Sequence, residues 1–225
     1  GNDPYDKFLP KISSVVSKIF FIYLGLTFVL LFIYYYLGMN FFDSIAHSFT
    51  TISTGGFSTH DASFAYFNNY NILFVAIVFM ILGSLPFLVL AQTSLKNFFA
   101  TIKDHQVKIF LLILLVSIFL IYFLANKFVE GSVFQKFISI SFNTISIISG
   151  TGFVSENFEN WGNYASVLFL ILMFVGGCAG STTGGLKVFR FQILFNYLVL
   201  HLKKMLQPHA VLASHFNGKK IPDST

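Results

Sequence analysis

Two short clusters hold the groups most able to do chemistry in this sequence. They read Ser53-Thr54-Gly55-Gly56-Phe57-Ser58 and Ser149-Gly150-Thr151-Gly152-Phe153-Val154-Ser155. Both are rich in hydroxyls and glycine, and neither carries a charge. Glycine tolerates the backbone angles that turn consecutive carbonyls the same way, which a β-carbon resists. Inward carbonyls can replace the hydration shell of a cation, and Ser and Thr hydroxyls add small neutral oxygens. Such ligands suit a monovalent cation that dehydrates easily, whereas a divalent site would carry carboxylates. Asp61, Glu156 and Glu159 lie only beyond the clusters.

A third stretch, 176–185, reads Gly-Gly-Cys-Ala-Gly-Ser-Thr-Thr-Gly-Gly, with five glycines in ten residues. Each glycine costs a helix about 1 kcal/mol relative to alanine. A continuous helix is therefore not expected here. Irregular backbone at membrane depth must face protein or a water-filled cavity. Placed below the clusters, it is a loop that can obstruct a path and move aside. A close helix-packing face of small residues is the competing reading. A phosphate-binding loop is excluded, because Gly180 to Lys187 does not fit that spacing and no strand precedes it.

The remaining polar residues form no catalytic constellation. His47 reads as a packed, hydrogen-bonded residue ahead of the first cluster. His60 beside Asp61 reads as an ordinary loop pair, with a cation site as the lesser reading. Neither has further ligands nearby in sequence, so no transition-metal site is expected. Gly83 and Pro86 predict a kink where a neighbouring segment packs closely. Cys178, the single cysteine, reads as a small packing residue. Lys187 and Arg190 follow the glycine stretch, placed either to act on it electrostatically or to snorkel to the interface.

The elements that must position these groups are membrane helices. Of 225 residues, 10% are charged and 55% hydrophobic, with 31 Phe and a mean hydropathy of +0.74. That excludes a disordered chain and an ordinary soluble domain. The phenylalanines read as lipid-facing bulk. The net charge of +5 is no sign of nucleic-acid binding, because the basic residues sit in short clusters between apolar runs. Uncharged stretches at 19–39, 71–91 and 109–125 match one hydrocarbon thickness. A fourth pair, 165–175 and 186–202, crosses only if joined through the glycine stretch. Twelve of the fourteen basic residues fall on one side, leaving only Lys127 and Lys136 on the other. By the positive-inside asymmetry, the N-terminus, the 95–108 loop and the C-terminal tail are cytoplasmic, and 40–70 and 126–164 face outward. The chain opens on Gly1 with polar residues and no visible signal peptide, so it reads as an internal piece of a longer chain.

This layout contains a repeat with a period near 95 residues. Residues 1–100 hold spans at about 15–39 and 70–91 around a re-entrant segment at 41–59. Residues 101–225 hold spans at about 107–125 and 165–202 around a second at 133–155, with the last helix broken at 176–185. One such cluster alone reads as a polar turn. Two at equivalent positions favour a pair of filters. The expected fold is an all-α integral membrane protein of helix–re-entrant loop–helix units. Two other functional classes stay open: a coupled secondary transporter with discontinuous helices, and a non-transporting membrane assembly module.

The segments AHSFTTISTGGFSTHDASFAYF (46–67), GTGF (150–153), FVGGCAGSTTGGLKVFR (174–190) and QPHAV (207–211) resemble the Trk/Ktr/HKT potassium-uptake family, its TrkH branch most closely. The resemblance implies a pore of four repeats, of which this chain carries the second and third. The first and fourth would complete it. It implies potassium as the translocated ion, with no bound cofactor. It also implies a homodimer in the plasma (inner) membrane, and a cytosolic nucleotide-binding regulatory subunit that meets basic ends such as Lys203 and Lys204. Carried over, Thr54, Gly55 and Gly56 form one filter strand and Gly150, Thr151 and Gly152 another, each led by a serine, Ser53 and Ser149. The gate loop falls on Gly176, Gly177, Gly180, Ser181, Thr182, Thr183, Gly184 and Gly185. Family members usually read G-S-T-G-G-G there, so Thr183 stands where they have glycine.

Overall fold

The computed structural model describes residues 4–92, 102, 104–207, 215–216 and 219–220. Long apolar runs make the first and fifth helices, α1 (Pro4–Tyr36) and α5 (His105–Ala125). Among the described residues, these are the two helices long and apolar enough to cross a membrane, α1 over Ser13–Tyr36 and α5 over its whole length. Helix α1 begins earlier and ends earlier than its uncharged run. It stops where Gly38 takes φ +105°, and the Gly38 and Met39 amides return to the Tyr35 and Tyr34 carbonyls.

Two shorter helices enter from the same kind of start. Helix α2 (Phe41–Ile52) is capped by Asn40, whose side chain accepts from the Asp43 amide at 2.7 Å. A turn of 3₁₀ helix follows at Ser63–Phe67, then α3 (Tyr70–Ser84) and α4 (Phe87–Gln92). Helix α6 (Val133–Ile148) opens on a capping box made by Ser132 and Gln135. A second 3₁₀ turn, Phe158–Trp161, leads to α7 (Asn163–Leu172) and α8 (Val188–Leu206). The helical chain ends in a two-residue antiparallel ladder, β1 (His215–Phe216) on β2 (Lys219–Lys220). The expected cytoplasmic placements of Lys96 and Lys103 and most of the tail lie outside the described residues.

The expected 70–91 span is two helices. Pro86 has no amide to donate and holds Leu85 out of the helical region, at φ −83° and ψ 158°. The expected 165–202 span is also two helices, and the irregular backbone between them covers 173–187, wider than the glycine stretch itself.

Packing follows from these lengths. Helix α2 lies on α1 and α3, while α6 lies on α3, α5 and α7, so α3 touches both short helices. Helix α6 is buried continuously from Ile138 to Ser146. Its Asn143, Thr144 and Ser146 find partners within the protein, as buried polar groups must. The phenylalanines divide. Phe20, Phe21, Phe32 and Phe123 are exposed and suit lipid, but Phe64, Phe110, Phe142 and Phe153 are core. The Phe64 ring centroid lies 4.4 Å from that of Phe153 and 5.2 Å from that of Phe142, both pairs tilted, joining the two halves.

Gly83 allows α3 to reach the end of α2. A β-carbon there would lie 3.0 Å from the Ile52 carbonyl and 3.4 Å from Thr54 Cγ2. Gly83→Val is expected to destabilise the protein by roughly 1–3 kcal/mol, the usual cost of overpacking. Thermal unfolding of the complete protein in detergent measures it, and an unchanged Tm would contradict this close approach.

Candidate functional site

The two clusters sit at matching places, directly after the C-termini of α2 and α6. Ser53 and Ser149 are the C-caps, with nearly equal backbone angles of φ −73°, ψ −7° and φ −70°, ψ −12°. The residues after them repeat the same pattern. Thr54 and Gly56 take φ +51° and +71°, and Gly150 and Gly152 take +70° and +83°. First and third positions are thus left-handed in both clusters. A non-glycine residue at positive φ, as at Thr54, is held there by its surroundings. Each cluster lies at the carbonyl end of a helix, where the partial charge is negative and favours a cation.

The cluster hydroxyls are turned into the protein. Thr54, Ser149 and Thr151 are buried. Thr54 Oγ1 donates to the Ser53 carbonyl at 2.7 Å, and Ser149 Oγ and Thr151 Oγ1 share a hydrogen bond of 2.7 Å. These three side chains brace the turns, while Gly55, Gly150 and Gly152 are exposed and Gly56 is half-buried. The clusters also meet each other: a β-carbon on Gly56 would collide with the Thr151 carbonyl.

The segments leaving the clusters are tied down. Ala65 donates its amide to the Val154 carbonyl, and Val154 donates to Ser63 Oγ. His47 is fully buried and hydrogen-bonded at both ring nitrogens, to the Asp43 carbonyl and to Ser58 Oγ. The His60–Asp61 pair expected from adjacency does not form. His60 pairs with Asp43 at 2.9 Å, Thr59 donates to the same carboxylate at 2.6 Å, and Asp61 is exposed. Asp43 was not singled out by the sequence reading. The available signal was an acid three residues after Asn40, a helix N-cap pattern. A cavity of about 350 Å³ opens between the two halves, lined in part by Asn68, Asn69, Glu130, Ser139 and Glu156. Burial raises the Glu156 carboxyl above its ordinary range, opposed by hydrogen bonds from Ser139 and Trp161. Among the described residues, no three His, Cys, Asp or Glu side chains come together as a metal site.

The glycine stretch packs against the break between α3 and α4. Cys178 and Thr182 donate their amides to the Ser84 and Gly83 carbonyls at 3.0 and 3.2 Å. In return Gly180 accepts from the Phe87 amide at 3.0 Å. The Thr182 hydroxyl lies 2.9 Å from the Ile52 carbonyl and 3.0 Å from that of Gly83. Ala179 donates to Gln106 Oε1 at the start of α5, a contact with no forewarning in the sequence. Cys178 is a fully buried packing residue.

Within the stretch, both ends pair. Gly176 donates to Leu186, Leu186 to Phe174, and Val188 to Gly177. β-Carbons on Gly176 and Gly177 would strike Gly184 and Thr183. Thr183 Oγ1 accepts from the Gly177 amide at 3.0 Å and from Lys187 Nζ at 2.9 Å, and lies 2.8 Å from Ser181 Oγ. Lys187 Nζ also donates to the Thr183 carbonyl. Lys187 therefore bonds to the stretch rather than snorkelling, while Arg190 is exposed. Gly184 lies beside the second cluster, 3.7 Å from where a Gly150 β-carbon would stand.

A family model described as TrkH, a cation transport protein, matches residues 4–225. The chain is 34% identical over 225 residues to the Trk system potassium uptake protein TrkI of Halomonas elongata, covering 99% of this chain and 45% of that protein. It is 36% identical over 222 residues to the Trk system potassium uptake protein TrkH of Vibrio parahaemolyticus, covering 96% and 45%. The crystal structure of the potassium transporter TrkH from Vibrio parahaemolyticus superposes with a TM-score of 0.87 at 34% identity, over 96% of this chain and 47% of that one. The chain thus spans about half the length of the curated relatives it matches. By the near-complete family match and this likeness in both sequence and fold, the chain belongs to the TrkH cation-transport family.

Proposed function

We propose that this chain is half of a potassium-conducting pore in the cell membrane, built from two helix–pore-loop–helix units: 1–100 and 101–225. One observation carries the reading: two uncharged clusters at helix C-termini share the same left-handed residues at first and third positions and touch at Gly56 and Thr151. Alternating handedness lets successive carbonyls face one side without a side chain, as a cation filter requires. Thr54, Gly55, Gly56 and Gly150, Thr151, Gly152 would supply backbone oxygens, with Ser53 and Ser149 behind them. The relatives are named potassium uptake proteins, which favours potassium over sodium and transport over catalysis. Two units cannot encircle an ion alone, so the first and fourth repeats of the same chain would complete the ring. A homodimer, a cytosolic nucleotide-binding subunit against the basic ends near Lys203 and Lys204, and cytoplasmic termini belong to the same proposal.

The stretch from Gly176 to Gly185 is the gate in this reading. It lies against the Gly83–Pro86 break and beside Gly150, and it is closed by its own hydrogen bonds rather than by a helix. A coupled transporter with discontinuous helices remains the second reading, favoured by the meeting of two interrupted helices. Potassium flux that persists in liposomes without any proton or sodium gradient would decide against it.

Filter variants test the first assignment. Gly56→Ala, which drives a β-carbon into the Thr151 carbonyl, is expected to abolish potassium selectivity in liposomes reconstituted with the complete transporter. Gly152→Ala meets no atom within 4 Å and costs only the left-handed strain of about 1–2 kcal/mol, so its effect is expected to be smaller. Unchanged potassium and sodium uptake in both variants would sink the filter assignment.

Loop variants test the gate. Each buried hydrogen bond contributes about 1 kcal/mol, a several-fold change in a two-state equilibrium. Thr183→Ala removes the acceptor for Gly177 and Lys187 and is expected to raise potassium flux several-fold, as is deletion within 176–185. A loss of expression with no gain of flux would favour the close-packing role for these small residues.

A further inference from the structure

His47 and Asn143 occupy the same place in their units, six residues before the C-cap serines Ser53 and Ser149. Their hydrogen bonds are also the same in plan. His47 Nδ1 donates to the carbonyl four residues back, Asp43, at 2.8 Å, and Asn143 Nδ2 donates to the carbonyl four residues back, Ser139, at 3.0 Å. Each side chain also holds the serine that leaves the cluster, the imidazole through its far nitrogen and the amide through both Nδ2 and Oδ1. His47 Nε2 lies 2.9 Å from Ser58 Oγ, and Asn143 Nδ2 lies 2.8 Å from Ser155 Oγ, with Asn143 Oδ1 accepting from the Ser155 amide. We propose that His47 and Asn143 are equivalent positioning residues that fix the outer end of each filter strand, and that His47 does so only as a neutral imidazole. The proposal rests on the filter reading above and assigns a specific role to residues outside the filter itself.

The protonation state follows from who can donate. The Asp43 carbonyl only accepts, so Nδ1 carries the hydrogen. In the neutral ring Nε2 then accepts, and the Ser58 hydroxyl donates to it. Ser58 Oγ in turn accepts from the His60 amide at 3.2 Å. Protonation at Nε2 would reverse the bond to Ser58 and leave that hydroxyl proton without its acceptor. It would also place a charge on a ring that is 0% exposed and packed by Phe64, Phe67 and Phe153, at 5.2, 5.2 and 6.1 Å. The titratable groups facing it are Asp43 on its own helix and His60 on the segment beyond the cluster, and these two are hydrogen-bonded to each other. The Tyr34 hydroxyl bonds to Thr51, which donates to the His47 main-chain carbonyl and not to the ring, and Tyr66 stacks on His60. Asn143 has no proton to gain in the same range, so the two units differ: one strand is held by a proton-sensitive group and the other is not.

The test uses the complete transporter in liposomes, with potassium over sodium selectivity measured as the external medium goes from about pH 8 to about pH 5, the range in which histidine titrates. His47→Ala is expected to lower selectivity about tenfold near pH 8 and to show no further decline in acid, and Asn143→Ala to lower it about tenfold at every pH, the effect of a buried hydrogen-bonding group lost with its partners left unsatisfied. His47→Asn should restore selectivity and remove the decline that the wild-type protein shows in acid. His60→Gln should keep that decline. Ser58→Ala leaves His47 in place and should copy His47→Ala, which guards against a variant that merely misfolds. Wild-type selectivity in His47→Ala and Ser58→Ala would overturn the positioning role. Absence of an acid decline in the wild type, or a decline that survives in His47→Asn and vanishes in His60→Gln, would overturn the requirement for a neutral His47. If Gly56→Ala abolishes selectivity while these variants do not, this inference fails and the filter reading stands. If Gly56→Ala conducts normally, the filter reading itself fails.

Discussion

Two helix breaks that satisfy each other's backbone are the contact on which the rest of the molecule depends. A broken helix leaves carbonyls and amides unpaired, and in a membrane no water is at hand to repair the loss. Pro86 separates α3 from α4, and the glycine stretch lies between α7 and α8. The carbonyls freed at Gly83 and Ser84 accept from Thr182 and Cys178, and the amide freed at Phe87 donates to Gly180. Each break alone would be costly, and together they form a local core of backbone hydrogen bonds. The same contact places 176–185 at one depth, against the end of α2 through Ile52 and beside Gly150.

That depth is also where the two clusters turn. The two short helices stop at Ser53 and Ser149, and the left-handed residues after each serine redirect the chain. The buried hydroxyls of Thr54, Ser149 and Thr151 brace the turns, so the rigidity of the turns comes from side chains. Beyond the clusters the braces differ between halves. The first uses Asp43, His47, Thr59 and His60, and the second uses Asn143 and Ser155. The units share geometry more closely than they share chemistry.

Much of this was legible in the sequence, and what was missed has physical reasons. Apolar run length located α1 and α5, because a span must match the hydrocarbon thickness. Glycine density located the second break, and Gly83 with Pro86 located the first as a kink beside a packed neighbour. Their mutual docking was not legible, because periodicity carries no information on which backbone amide meets which carbonyl. The hydroxyls were expected to face an ion, yet composition alone does not tell a bracing Thr151 from a lining one. His60 was paired with its neighbour Asp61, whereas the fold brings it to Asp43, 17 residues away in sequence. Phenylalanine was read as lipid-facing throughout, but Phe64, Phe142 and Phe153 join the halves, a role set by position rather than residue type.

On the proposed gate reading, the hydrogen bonds of the glycine stretch divide into two sets with different consequences. One set, through Cys178, Gly180 and Thr182, is what keeps the α3–α4 break satisfied. Its loss would expose Gly83 and Ser84 within the membrane, so a moving loop has reason to retain it. The other set, among Gly177, Ser181, Thr183 and Lys187, is internal to the stretch and its flank. Breaking it exposes groups toward the path, where water can replace the lost partners at a much smaller net cost. Motion is therefore cheapest about the Thr183–Lys187 side, with the Cys178–Thr182 side as the anchor. A threonine hydroxyl that accepts from both an amide and a lysine then sets how firmly the loop stays shut, at a position where glycine could offer no such acceptor.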